Sequence, residues 1–431
     1  MIHRRQFVQA VTAATVLPSC VVAEPPPKPE DVLQPYRGNS VKGVDTKTLI
    51  GKVMCGYQGW FNCPDDGMKL GWTHWAGKSK ELFSPENVKV DLWPDLTGFG
   101  ADERYATGFL KKDGSPAEVF SSANRKTVYR HLEWMREYDI DGAFVQRFAN
   151  GLKGAYTVHQ KNVVLSHVRK GANLNGRAYA VMYDLSGLGA GGVASVFKDW
   201  RMLREKMQIT KDAAYLHHKD KPLVAVWGVG FKDHRKYTLA ECRDLIKSLK
   251  ADGCTVMLGV PTGWREGTRD AIADAELRDV LELADVLSPW TVGRYRTPKE
   301  ATLHGEKVWA QDLKWCQQHT LDYLPVVYPG FSWHNMKGAP LGSIPRLKGE
   351  FLWSQFVAAQ RAKCQMIYVA MFDEVDEGTA ILKCTDSPPV SKNAVFLTNE
   401  GLSSDFYLRL TGEGARMLRG KRPLITEVPI K

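Results

Sequence analysis

The chain contains no internal run of about 18 apolar residues, which excludes a polytopic helical membrane protein. No block of five or six like charges occurs either. The formal charge of +10 is spread along the 431 residues, so no basic stripe marks a nucleic-acid face and no nucleic-acid partner is expected. Neither GxGxxG nor GxxxxGK[ST] follows the first strand-like segment, where GYQGW stands instead, and nucleotide binding loses support. Cysteine and histidine lack zinc-site spacing. The eight cysteines fall to seven if Cys20 is lipidated or removed, and an odd number argues against a complete disulfide framework. Cys55 and Cys63 lie close in sequence, but closeness alone does not pair them.

What is present is an ordinary globular composition, 44% apolar and 25% charged, with a generous aromatic content of 13 Trp, 15 Tyr and 16 Phe. Many of these aromatics sit beside Gly, Pro, Asp or His, as do rings that stack on sugars, although core packing is the commoner use of any one of them. The N-terminus, MIHRRQFVQAVTAATVLPSC, has paired arginines before a short, weakly apolar run. That is the pattern of a twin-arginine (Tat) signal peptide, assigned to residues 1–23. LPSC at 17–20 has the form of a bacterial lipobox, with Val21-Val22-Ala23 as a competing cleavage site. The expectation is an exported protein, periplasmic or on the cell surface, attached to membrane through a lipidated Cys20. Residues 24–45, which include EPPPKPEDVLQP, read as a proline-rich linker, and 46–431 as one catalytic-sized domain. A monomer is expected.

From about Leu49 a beat repeats: a β-branched apolar run, a Gly or aromatic end, then a helical period. Eight strands are predicted, at 52–59, 141–148, 177–184, 222–229, 254–261, 284–290, 324–330 and 365–373. Helical periods are clearest at 124–138, 240–250, 268–283, 350–363 and 403–418. Strands apolar on both faces and alternating with helices imply parallel pairing, and eight units fit a closed (β/α)8 TIM barrel better than a doubly wound sheet. The connection from Phe61 to about Asn124, with a predicted hairpin in 108–120, is long enough to need a purpose. On a barrel it lies on the C-terminal face, where the other long loops and the active site belong.

The eighth run, QMIYVAMF, is followed directly by Asp373, Glu374, Asp376 and Glu377. Repulsion and desolvation oppose such a cluster unless it is solvated or kept for chemistry. Paired carboxylates across a bond are the apparatus of glycoside hydrolysis, and spacing alone leaves a solvated acidic turn or a calcium loop open. The other strand ends favour sugar. Tyr57 and Trp60 end the first strand, with His74 and Trp75 in the loop after it; Gln146 and Arg147 end the second; Tyr183 and Asp184 the third; Trp227 the fourth and Trp290 the sixth. Tyr328 ends the seventh, followed by Phe331, Trp333 and His334. Aromatic platforms with a few hydrogen-bonding groups suit a polysaccharide or oligosaccharide subsite.

FDEVDEGTAI, 372–381, resembles the Asn-Glu-x-x-Glu-Gly-Thr signature of glycoside hydrolase family 99 and its relatives in family 71, with Asp373 in place of Asn. PGFSWHN (329–335) is similar to the family's Pro-Gly-Tyr-Asp segment, and GYQGWF (56–61) with THW (73–75) to its aromatic first strand and loop. The resemblance implies a metal-free, cofactor-free (β/α)8 α-glycosidase: family 99 members are retaining endo-α-mannosidases, and family 71 members cleave α-1,3-glucan. It implies that Glu377 is the general acid/base, and that Glu374 is the base on the sugar's 2-hydroxyl, giving a 1,2-anhydro intermediate. Phe331, Trp333, His334 and the pair Gln146-Arg147 depart from the family pattern, which puts mannose specificity in doubt and points Arg147 at a carboxylate or sulfate. The alternative is a non-catalytic surface glycan-binding lipoprotein on the same barrel.

Overall fold

The apolar runs form parallel strands because none has a polar face to offer water. The computed structural model describes residues 27–431. In it β1 is Val53–Tyr57, β2 Gly142–Phe148, β3 Ala178–Asp184, β4 Lys221–Trp227, β5 Thr255–Val260, β6 Val286–Pro289 and β8 Ile367–Val369. β7 comes in two pieces, Asp322–Tyr323 and Val326–Val327. β1 pairs in parallel with both β2 and β8, Met54 facing Gly142 and Val53 facing Ile367. The first piece of β7 pairs with β6 and the second with β8, so the sheet closes through β7 into a barrel. Pro325 has no N–H to donate and breaks the ladder there; its carbonyl still accepts from Tyr368 N–H at 3.0 Å.

A helix follows each strand: α1 Arg125–Glu137, α2 Ala155–Asn175, α3 Ala194–Met202, α4 Leu239–Ala251, α5 Glu276–Leu281, α6 from Pro298–His304 on to Ala310–Gln318, α7 Glu350–Arg361 and α8 Phe406–Leu418. Their starts are chemically marked. Asn124 caps α1 by accepting from Lys126 N–H, Thr238 and Glu241 form a reciprocal capping box on α4, and Thr297 with Pro298 opens α6. The long β1–α1 connection carries the antiparallel strands Tyr105–Leu110 and Pro116–Val119, a hairpin three residues earlier than 108–120.

Two segments differ from expectation. Residues 268–275 are not helical, because Asp270 is drawn into the β5 loop, where it accepts from Thr262 N–H and Oγ, Gly263 N–H and Arg294. The segment read as a linker is docked from residue 27 onward. Val32 is buried beside Met68, Ala123 and Val163, Val41 and Val44 N–H donate to Asn173 and Gly176 carbonyls, and a Cβ on Gly43 would stand 2.0 Å from Gly176 O. The signal peptide and Cys20 lie outside the described residues. Among those described, all seven cysteines are buried free thiols, Cys55 and Cys63 included, and no helix is long and apolar enough to cross a membrane.

One buried ion pair ties four elements together. Arg147 of β2 donates to Asp199 of α3 at 2.9 and 2.6 Å and to Asn162 of α2 at 3.1 Å; Tyr183 Oη of β3 donates to the same carboxylate at 2.6 Å. Removing one partner leaves a buried charge alone. Asp199→Ala should therefore cost about 3–5 kcal/mol, read as a lower urea midpoint by tryptophan fluorescence; an unchanged midpoint would remove the pair from the forces holding β2 to α3.

Candidate active site

The turn after β8 is built by its own sequence and by three distant residues. Gly378 has φ +65° and its missing Cβ would meet Ser332 at 3.1 Å, so this position needs glycine twice over. Thr379 returns its N–H to the Glu374 carbonyl at 3.2 Å and its Oγ to Glu374 Oε2 at 2.8 Å. The Gly and the Thr of Glu-x-x-Glu-Gly-Thr thus each have a mechanical reason. Arg346, buried and stacked 4.4 Å over Tyr407, donates to the Gly378 and Ala380 carbonyls and props the turn from behind. Asp91 N–H bonds the Val375 carbonyl from the β1–α1 connection.

The four carboxyls separate into different environments. Asp373 is fully buried and accepts from the N–H groups of Gln58 and Gly59, at 2.7 and 2.8 Å. Burial pushes its carboxyl up to about 7 against the pull of those amides. Asp376 is buried on His74 Nδ1 at 3.0 Å, and the His74 ring stacks on Trp60 with centroids 3.7 Å apart. Glu374 accepts from Gln58 Nε2 at 2.6 Å and from Thr379; burial, then Glu377, then Asp376 hold it well above the usual carboxylate range. Glu377 is half-buried, and burial with the negative charge of Asp376 pushes it up to about 8, opposed by a hydrogen bond from Trp333. Both glutamates are raised above the usual carboxylate range, by burial first. At Glu374 the donors Thr379 and Gln58 favour the ionised form and oppose that rise.

Both glutamates open into one cavity of about 830 Å³ at the C-terminal face of the barrel. Of the other residues picked from sequence, Trp60, Gln146, Asp184, Trp227, Trp290, Phe331 and Trp333 line it as well. Seven do not. Strand alternation decides two of these: Gln146 and Asp184 point inward, so their neighbours Arg147 and Tyr183 point out toward the helices. Arg147 is spent on Asp199 and meets no substrate anion. Tyr57 is buried with its Oη on His131 Nδ1 at 2.9 Å, Trp75 is buried against Phe61, and Tyr328 donates to the Tyr295 carbonyl. His74 stands behind Trp60, and His334 Nδ1 lies 2.8 Å from the Ala339 carbonyl.

Sequence reasoning missed Gln58, Phe231, Asp233 and three arginines, Arg235, Arg294 and Arg296, all lining the cavity. The GRYR run at 293–296, directly after a strand end, was the one available signal. Asp91 was also unmarked. Its carboxylate accepts from His334 and Asn335 N–H at 2.7 and 2.8 Å, fixing the loop that carries Trp333.

No family model matches this chain, and no curated protein matches it in sequence. Solved structures do. The family 99 endo-α-mannosidase of Bacteroides thetaiotaomicron superimposes with a TM-score of 0.62 at 16% identity, over 87% of this chain and 99% of that one. Its complex with bis-tris-propane gives 0.60 at 17% identity, with the same coverage of both chains. This chain has the family 99 fold. A glycoside hydrolase-like protein is also similar, with a TM-score of 0.51 at 12% identity over 90% of this chain and 98% of its own.

Asp91→Ala would leave two half-buried N–H groups beside Trp333 without their acceptor, at about 1–3 kcal/mol in all. The expected outcome is a lower melting temperature together with altered tryptophan emission and loss of any glycan binding that uses Trp333. Wild-type stability in this variant would show that the Asp91 carboxylate does not hold the loop.

Proposed function

We propose that the chain is an exported glycoside hydrolase that cleaves α-linked polysaccharide or oligosaccharide with retention of configuration, mannan-like or related. The observation that carries this is the placement of Glu374 and Glu377 in one cavity with Trp60, Trp227, Trp290 and Trp333. A volume near 830 Å³ holds several sugar units, and tryptophan faces stack on their apolar sides. The family 99 fold and the Glu-x-x-Glu-Gly-Thr turn support the roles. Glu377, retaining a proton, gives it to the departing glycosidic oxygen. Glu374, ionised and oriented by Gln58 and Thr379, withdraws the 2-hydroxyl proton as that oxygen attacks the anomeric carbon. Water then attacks the anomeric carbon from the face the leaving group left, opposite the C1–O2 bond; Glu377 takes the proton of the water and Glu374 returns one to O2 as that bond breaks. Export and lipidation at Cys20 rest on the leader sequence, and a monomer is the expected state.

Glu377→Gln removes the acid and keeps the shape. Hydrolysis of α-manno-oligosaccharides should fall by about 10²–10⁴-fold, while calorimetric affinity stays within about threefold of wild type, the size of a few tenths to 0.7 kcal/mol. Undiminished turnover would remove the role assigned to Glu377 and leave the binding-only reading.

The pH profile follows from the same group. Glu377 is active protonated, so kcat should decline as pH rises through about 8. On the acid side the rate should fall as Glu374 takes up a proton. A plateau extending past pH 10 would show that no carboxylic acid donates the proton.

A further inference from the structure

The cavity is electrically two-sided, and its basic wall has no place in the chemistry above. Arg235 comes from the β4 loop, Arg294 and Arg296 from the β6 loop, and all three line the cavity. Arg235 is held rigidly. It donates Nε and one terminal nitrogen to Asp233 at 2.8 and 2.9 Å and the other to Tyr237 Oη at 2.6 Å, and it lies 4.9 Å from the Trp227 and Phe231 ring centres. Three of its five N–H donors are thereby used. Arg294 is anchored through Nε alone to Asp270 at 2.6 Å. That carboxylate is already tied down by Thr262 and Gly263, so the two terminal nitrogens of Arg294 keep their donors. Arg296 is exposed, and its guanidinium has no ion pair or hydrogen bond from any described residue.

A neutral sugar needs donors but not charge. Two anchored guanidiniums and one uncompensated one, gathered beside the aromatic platform of Trp227 and Trp290 (centroids 5.5 Å apart), suit a planar or tetrahedral oxyanion on a sugar ring. The diffuse positive charge of the chain would draw such a substrate in.

We infer that the cavity wall formed by Arg235, Arg294 and Arg296 is a subsite for an anionic substituent, a carboxylate or a sulfate ester, on an α-glycan. This rests on the cavity being the glycan site. The Glu pair acts on the glycosidic bond, and the arginines select chains that carry negative charge near it.

The test uses Glu377→Gln protein, which separates binding from turnover, and three size-matched probes: neutral α-manno-oligosaccharides, the same chemically sulfated, and the same oxidised at C6 to uronates. By calorimetry at low salt, at least one anionic series should bind tenfold or more tightly than the neutral one. That gain should shrink with added sodium chloride and disappear in Arg294→Gln/Arg296→Gln, which leaves Arg235 and its packing intact. A preference for sulfate over uronate, or the reverse, names the group. Equal affinity for neutral and anionic probes, no binding by either anionic series, or a gain that survives the double substitution overturns the subsite. Failure of hydrolysis is read separately: wild-type protein that binds the anionic series through these arginines but cleaves none keeps the subsite and loses the hydrolase.

Discussion

Burying three carboxyl groups and half-burying a fourth in one short turn is the constraint around which this molecule is organised. Each would prefer water, and each repels the others in a medium of low polarity. The chain meets the difficulty by giving the carboxyls different partners rather than a common one. Asp373 takes two backbone amides of the β1 loop, Asp376 takes an imidazole from the next stretch, and Glu374 takes an amide side chain and a hydroxyl. Glu377 is left with Trp333 and the cavity.

Those partners explain the long connection after β1. It supplies Gln58, Gly59, His74 and Asp91, every one of which touches the β8 turn or the loop before it. Of its aromatic residues, Trp93 and Phe109 pack on Phe396 from the segment beyond the turn, with Phe83 stacked on Trp93. The acidic side is therefore rigid because β1 and β8 are neighbours in the sheet, while the arginine wall stands on loops from β4 and β6.

The sequence made the strands legible because each is apolar through both faces, and the barrel followed from their number and spacing. The acidic turn was legible because it directly follows such a run. Side-chain parity was not: at 146–147 and 183–184 two polar or aromatic residues end a strand, and only the register against the neighbouring strands says which faces the cavity. Arg147 was the costly case, a conspicuous cation that the fold spends on Asp199 beneath the surface. Asp91 and Arg346 act across more than 200 and about 30 residues respectively, through main-chain groups that leave no mark on local composition.

The exchange of Asn for Asp at position 373, the clearest departure from the family signature, has a local reason. Two N–H groups, those of Gln58 and Gly59, converge on this side chain at hydrogen-bonding distance. An asparagine has one acceptor oxygen and a donor nitrogen, and the nitrogen would face an N–H. A carboxylate offers an oxygen to each. Gly59 sits at φ +58° with its missing Cβ 2.5 Å from Val164, so its amide direction is fixed by backbone that no other residue could take without displacing that side chain. The Asp373 carboxylate and the GYQG turn therefore specify one another, and a return to asparagine would have to be accompanied by a different first loop.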